Sequence, residues 1–381
     1  MMKHIHISLL GAQSYPVYLG IVDQHPDEVI LVHSVTTHDE AIRIKQELGK
    51  QSMQLPVQLI EFEPVDLPRI FNQLTKNFSN QSAENLYSVN ISGGTKLWSI
   101  AFYEHFSKYP QVRLLYIDQN NHICNLKTLE QYRSDVPLDT DIVFRLNGTK
   151  AESYTLLSEY TEKDTYCVKK IKELCSHSYD GFKSFSMPDV LKWKEIENKK
   201  EGCWVSDCGA LLWDKPSKKI VIRLLNKKKV EKEEVLESPH VFSLFFYAGW
   251  FEYEVAKMLS EWKYAKEVRM NVKFPYNVEK NPKNEIDVIV NTGNRLLFVE
   301  CKTQITSITD IDKFRTAVKN YGGMACKALF VTEAGMKNTA REKCEDSGIL
   351  SFSLQSSFAN LSVAEQMYLK LEHELFEINK K

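Results

Sequence analysis

The sequence lacks the marks of several protein classes. No apolar run approaches the ~20 residues that span a bilayer, so no membrane association is expected. The opening MMKHIHISLLGAQ has too short an apolar stretch for a secretory leader and reads as a first strand. A cytoplasmic location is therefore expected. The eight cysteines contain no Cys-x-x-Cys. Cys203 and Cys208 are separated by four residues, but no second ligand pair lies nearby. Reduced thiols are expected rather than a zinc site or a disulfide framework. Forty-nine Lys and Arg against 50 Asp and Glu leave a net charge of −1. The basic excess common among nucleic-acid binders is absent. Fifteen Gly and 12 Pro are too few to mark a long disordered linker, and no repeat or low-complexity tract is present.

What is present is a chain of 381 residues, 43% hydrophobic and 26% charged, which is ordinary for a soluble globular protein. It is too long for one ordinary core. Three parts are expected: residues 1–150, a bridging module at 151–238, and 239–381. In the first, strand patterns at His4–Leu10, Val29–His33, Val57–Phe62, Leu86–Ile91 and Val112–Ile117 alternate with helical ones. The helices fit Pro16–Asp23, His38–Leu48, Asp66–Asn77 and Lys96–Tyr109. That order predicts an α/β fold, an open Rossmann-like parallel sheet with helices on both faces. Such sheets bind ligands at the carboxyl ends of their strands.

One of those ends reads Asn90-Ile91-Ser92-Gly93-Gly94-Thr95-Lys96 and opens a helix. The glycines allow close backbone approach, and free N–H groups at the helix start favour an anion, with Thr95 and Lys96 adding a hydroxyl and a charge. It has neither the Walker A spacing nor that of a dinucleotide fingerprint. The other reading is a plain tight turn with Thr95 as N-cap.

In the middle, residues 135–147 read as a final strand or a connector. A polar connector and a helix around Lys163–Cys175 follow, then a short helix begun by Met187-Pro188-Asp189. A hairpin over Gly202–Leu225 turns at Asp214–Lys218. The basic block KPSKKIVIRLLNKKKVEK, Lys215–Lys232, reads equally as a contact for a phosphate backbone or as a solvated hairpin.

The chemistry is concentrated in NEIDVIVNTGNRLLFVECKTQ, 284–304. Strands at Glu285–Asn291 and Arg295–Thr303 flank a turn signal at Thr292-Gly293-Asn294. A two-residue loop at Gly293-Asn294 sets Asp287 opposite Glu300 and Glu285 opposite Lys302. Asp287, Glu300 and Lys302 then converge on one side of the sheet. Two carboxylates that close repel each other unless a cation lies between them, and hard oxygen ligands suit Mg²⁺ or Mn²⁺. Such an ion can activate water for phosphodiester hydrolysis, with Lys302 orienting or deprotonating that water or stabilising the developing charge. A cross-strand salt-bridge cluster on a solvated face is the plainer alternative. Alternation turns Cys301 to the opposite face, into the core.

An apolar helix, about Val241–Trp262, precedes the hairpin. A helix (Asp310–Tyr321), a strand (Ala325–Thr332), a helix (Met336–Asp346) and a strand (Ile349–Leu354) follow it. Glu252 lies on the apolar stripe of the first helix and needs a partner, which a shared metal or an unidentified Lys or Arg would supply. Glu254 lies on a more mixed face.

Gly249-Trp250-Phe251-Glu252, Glu285-Ile286-Asp287 and Glu300-Cys301-Lys302-Thr303 together resemble the PD-(D/E)xK restriction-endonuclease-like superfamily, with Ile286 where proline would precede the aspartate. The resemblance implies a metal on Asp287 and Glu300, completed by Glu252, and Lys302 acting on the water. Glu285 and Gln304 are supporting candidates. A strand–SGGTK–helix turn in an N-terminal Rossmann-like domain joined to such a nuclease resembles the CRISPR ancillary nucleases of type III systems, which join a CARF domain to a restriction-endonuclease-like domain. That resemblance implies a sensor of cyclic oligoadenylate, usually cyclic tetra-adenylate, bound across a homodimer interface. It implies a pocket lined by Ser92, Gly93, Gly94, Thr95 and Lys96. Gln13, Ser14, Thr36 and Thr37 join that group by position at the same sheet end. The expected function is thus an activator-switched, metal-dependent endonuclease acting on DNA and/or RNA in antiviral defence. A constitutive restriction or repair nuclease, and a non-catalytic nucleotide-sensing protein, are the alternatives.

Overall fold

The computed structural model describes residues 2–50, 55–79, 84–226, 230–275, 284–304, 308–355 and 361–376. The first part runs β1 (His4–Leu9), α1 (Tyr15–Gln24), β2 (Glu28–His33), α2 (His38–Lys50), β3 (Val57–Glu61) and α3 (Leu67–Phe78). It continues with β4 (Leu86–Asn90), α4 (Lys96–Phe106), β5 (Val112–Ile117), β6 (His122–Asn125), β7 (Gln131–Arg133) and α5 (Thr140–Leu146). The sheet order is β3-β2-β1-β4-β5-β6-β7, with β1 to β5 parallel. Strand order reverses between β1 and β4. An open α/β sheet takes its ligand at the carboxyl ends of the strands beside such a switch point.

Two features depart from the sequence reading. A short antiparallel extension, β6 and β7, follows β5; its strands are too brief to carry a period. Of residues 135–147, expected as a final strand or a connector, Thr140–Leu146 form helix α5. The Asp139 carboxylate accepts from the Ile142 amide at 2.8 Å and caps it. Burial of Val143, Phe144 and Leu146 does the rest.

The middle of the chain runs β8 (Ser153–Leu156), α6 (Glu162–His177), α7 (Tyr179–Ser186), α8 (Val190–Asn198), β9 (Glu201–Ser206), β10 (Gly209–Asp214), β11 (Lys219–Asn226) and β12 (Val230–Glu237). β9 to β12 form an antiparallel sheet in which the expected hairpin, β10–β11, is the central pair. Lys227, Lys228 and Lys229 of the basic block lie outside the described residues. Of its described cations, Arg223 pairs with Glu233 and Lys232 with Glu234. Those pairs favour the solvated hairpin for this stretch.

The last part runs α9 (Val241–Phe245), α10 (Gly249–Ser260), β13 (Glu267–Phe274), β14 (Asn284–Asn291), β15 (Leu296–Lys302) and α11 (Thr309–Tyr321). β16 (Cys326–Thr332), α12 (Asn338–Asp346), β17 (Ile349–Ser353) and α13 (Val363–Phe376) complete it. Its sheet order is β17-β16-β15-β14-β13-β8, so β8, from the stretch read as a bridge, forms an edge of this sheet. The single helix expected over Val241–Trp262 is instead two. Tyr247 (φ 53°) and Ala248 (φ 66°) are left-handed between them. Gly249 sits so close to the Ser243 carbonyl that an added Cβ would lie 1.8 Å from its oxygen. An apolar stripe that runs on through both helices cannot reveal such a kink.

One apolar cluster is continuous across the two end sheets. Leu10, Val17 and Val143 belong to it, as do Ile289, Phe298 and Phe330. The Phe144 ring lies 5.0 Å from that of Phe274 and 6.3 Å from that of Phe298, and Phe274 stacks on Tyr321 at 3.9 Å. Since Phe144 is fully buried, Phe144→Ala should cost about 3–5 kcal/mol. Calorimetry should show a single transition moved to lower temperature, because both sheets share that core.

Candidate active site

β14 and β15 pair with Val288 opposite Val299 and Asn291 opposite Leu296. Gly293, at φ 84°, makes the turn, and the Thr292 amide donates to the Arg295 carbonyl at 3.0 Å to close it. The pairing gives way at Asp287, whose Oδ2 accepts from the Cys301 amide at 2.7 Å. On the same face the Lys302 ammonium lies 2.5 Å from Glu300 Oε1 and 3.7 Å from Asp287 Oδ2. Cys301, one residue along, is buried in the apolar cluster on the other side, where burial holds its thiol well above the ordinary range. It is a core residue.

Glu252 lies in the first turn of α10. Burial first, and the Asp287 charge second, push its carboxyl well above the usual range. Burial also raises Asp287, against Lys302 and the Cys301 amide. Glu300 is pushed up to about 7 by burial and then by Asp287, with Lys302 opposing. For Lys302, burial alone would favour the neutral amine. The Asp287 and Glu300 carboxylates outweigh it and hold the ammonium above its ordinary range. Glu285 sits beside them, paired to Lys273 at 3.8 Å. Glu254 pairs instead with Lys172 at 2.8 Å, and Gln304 is exposed.

Among the described residues, no three His, Cys, Asp or Glu side chains converge as a ready-made cation site. Lys302 supplies the positive charge between Asp287 and Glu300. The donor set nonetheless fits a hard divalent ion: Glu252, Asp287 and Glu300 are oxygen donors whose ionised forms burial disfavours and a cation would favour.

These groups line a cavity of about 1130 Å³ that also takes in Tyr154, Trp193, Tyr247, Lys273 and Lys313. None of those five carried a signal in the sequence. Tyr154 arrives on β8 and Trp193 on α8, far along the chain from the hairpin. Lys273 is recognised only once β13 is registered against β14, where it faces Glu285.

At the other end, glycines let the loop after β4 pack tightly against the end of β1. An added Cβ at Gly93 would lie 2.1 Å from the Leu9 carbonyl oxygen, and Gly94 has φ 77°. Thr95 caps α4, accepting from the Trp98 amide at 3.2 Å and donating to the Pro64 carbonyl at 2.9 Å. Ser92 Oγ donates to Asn90 Oδ1 at 2.5 Å and accepts from the Ile117 amide at 2.6 Å. Lys96 is exposed at the first residue of α4. Ser14 is buried beside α1. Gln13 reaches toward the C-terminal part, where a Cβ on Gly323 would lie 3.0 Å from its Oε1. Thr36 and Thr37 lie farther off, in the turn after β2. There the Thr37 hydroxyl accepts from the Ser34 amide at 2.9 Å, and Thr36 lines a separate cavity of about 400 Å³.

Residues 5–144 match the family model of the Card1 CARF domain, and residues 242–350 match that of the Card1-like endonuclease domain. No curated protein matches the chain. Among solved structures, it is similar to Can2 from Sulfobacillus thermosulfidooxidans in complex with cyclic tetra-adenylate. That match has 16% identity and a TM-score of 0.64, over 98% of this chain and 99% of that one. It is similar to protein VC1899 from Vibrio cholerae at 13% identity and a TM-score of 0.71, over 97% of each. A type III CRISPR defence DNA nuclease activated by cyclic oligoadenylate matches at 15% identity and a TM-score of 0.60, over 98% of this chain and 52% of that one. At these identities the likeness is one of fold.

The charge balance of the site sets a pH dependence. Glu300 rises from its ordinary 4.5 to about 7 in the folded protein. Its contribution to stability is complete below the unfolded value and lost as pH rises through the folded one. Metal-free protein should therefore melt lower at about pH 8 than at about pH 6. Glu300→Gln should flatten that difference and raise the melting temperature at the higher pH, as read by calorimetry in a chelator.

Proposed function

The chain joins a CARF domain to a Card1-like endonuclease domain, and on that premise we propose that it is a nuclease of type III CRISPR defence, switched on by a cyclic oligoadenylate. We read residues 1–150 as the sensor, 239–381 as the nuclease and 151–238 as the bridge between them. The observation that carries the catalytic reading is the meeting of Lys302 with Asp287 and Glu300 on one face, inside a large cavity.

Asp287 and Glu300, with Glu252 beside them, would hold Mg²⁺ or Mn²⁺. Such an ion supplies charge to the scissile phosphate and lowers the pKa of an attacking water. The protein's own groups do the rest. The Cys301 amide fixes one oxygen of Asp287 and leaves the other for the reaction centre. Lys302, held protonated by its two carboxylates, acts as a donor: it orients the water and stabilises charge developing on the phosphorane, in place of removing a proton. Lys273 and Lys313 bring positive charge to the cavity for the phosphate backbone, which the overall charge of −1 does not provide. DNA and RNA both suit this lining.

The sensor takes cyclic tetra-adenylate, the ligand of the Can2 complex, at the β1/β4 switch point. Lys96 and the free amides at the start of α4 face its phosphates. A two-fold symmetric ring suits two identical pockets on one axis, hence a homodimer. The exposed Ile100 (61%) and Tyr103 (43%), on the helix that begins at Lys96, support that pairing.

Purified protein incubated with Mn²⁺, plasmid, single-stranded DNA and RNA, with and without each cyclic oligoadenylate, tests the reading. Cleavage that needs no nucleotide would instead point to a constitutive nuclease. Asp287→Asn should reduce cleavage to background and leave activator affinity unchanged. Lys302→Met should lower kcat by about 10²–10⁴-fold. Lys96→Ala should leave nucleotide-free cleavage as it is and move the activator titration to higher concentration, measured by initial rates.

A further inference from the structure

Between sensor and nuclease lies a second buried polar junction, well away from the carboxylates. β5 ends at Ile117 and turns back at once. The Asp118 carboxylate accepts from the Asn120 amide at 2.7 Å and the His122 amide at 2.9 Å, and Asn121 takes a left-handed φ of 60°. This tight turn grips the tip of the β14–β15 hairpin. The Arg295 guanidinium, 2% exposed, donates to the Gln119 carbonyl and to Asn120 Oδ1 at 2.8 Å. Asn121 Nδ2 donates to the Asn294 carbonyl at 2.8 Å. The Leu138 amide donates to the Gly293 carbonyl at 2.7 Å, and Asn291 Nδ2 to the Leu138 carbonyl at 2.8 Å.

Each side of this junction leads to one of the two sites. On the sensor side, the Ile117 amide donates to Ser92 Oγ within the SGGTK loop. On the nuclease side, Arg295 directly precedes β15, which carries Glu300 and Lys302, and the paired β14 carries Asp287. Glu300 lies five positions after Arg295 along the strand, about 17 Å at the usual rise. A hairpin embedded in a close-packed sheet moves as a stiff element, so displacement of its tip reaches the carboxylates.

We propose that Arg295 is a positioning residue. Through the 118–122 turn it transmits the state of the SGGTK loop to the hairpin, and so sets the spacing of Asp287, Glu300 and Lys302. This rests on the activator reading above. Arg295 touches neither activator nor substrate; it acts through the hairpin that bears the reacting groups.

The test uses full-length protein, Mn²⁺ and saturating cyclic tetra-adenylate, with Arg295→Lys and Asn121→Gly as separate variants. Lysine keeps the charge but cannot make the forked contact, and glycine tolerates the left-handed turn while removing the amide. Each variant should bind activator within about twofold of wild type, with stimulation over the nucleotide-free rate reduced at least about fivefold. The loss should appear in kcat rather than KM. The double variant should lose no more than the worse single one, because both act on one junction. Full stimulation in both single variants would overturn the proposal. So would an equal fall in the nucleotide-free and activated rates, which would mean that the junction only holds the hairpin's shape. A wild-type protein that answers to no cyclic oligoadenylate would instead defeat the activator reading, and the relay with it.

Discussion

The ammonium of Lys302 between the carboxylates of Asp287 and Glu300 is the constraint on which the nuclease end of this protein depends. Burying two carboxylates near a third, Glu252, is unfavourable unless positive charge comes with them. Lys302 provides one such charge, and burial still holds all three carboxyls above their ordinary range. The site is therefore strained electrostatically toward taking up a proton or a cation. Local structure is arranged around the same need. The backbone pairing of β14 and β15 stops where the Asp287 side chain takes the Cys301 amide, and Tyr247 and Ala248 turn the chain so that Glu252 falls in the first turn of a new helix.

The sensor end obeys a different constraint, close backbone approach. Gly93 lies against the Leu9 carbonyl, and Gly94 needs a left-handed φ. The strand ends at the switch point are brought together by this packing, and the helix start of α4 stays open beside them. Thr95 caps α4, as the tight-turn reading of this loop expects, and Lys96 is exposed at the first residue of the helix. The two ends are not tethered loosely. Phe144, Phe274 and Phe298 belong to a core shared by both sheets, and the buried Arg295 adds a polar junction within the same interface.

The middle of the chain contributes more to the nuclease than its sequence implied. β8 extends the sheet that carries Asp287 and Glu300, and Tyr154 and Trp193 line the cavity beside those residues. Within the basic block, Arg223 and Lys232 are paired with Glu233 and Glu234. The cations that face the cavity are scattered singly, on β13, β15 and α11, where no run of like charge marks them.

Elements with a strong local period were legible from the sequence. The five parallel strands and their helices, and the strands flanking Gly293-Asn294, follow from alternation, capping and turn chemistry, all of which act over a few residues. Hence the register that places Asp287, Glu300 and Lys302 on one face could be derived from a two-residue loop. Long-range packing decided the rest. It bent the Val241–Trp262 stretch, made residues 140–146 helical, carried Trp193 to the cavity and buried Arg295 against the sensor's turn. Those outcomes depend on which surfaces meet in three dimensions, a property that no window of neighbouring residues contains.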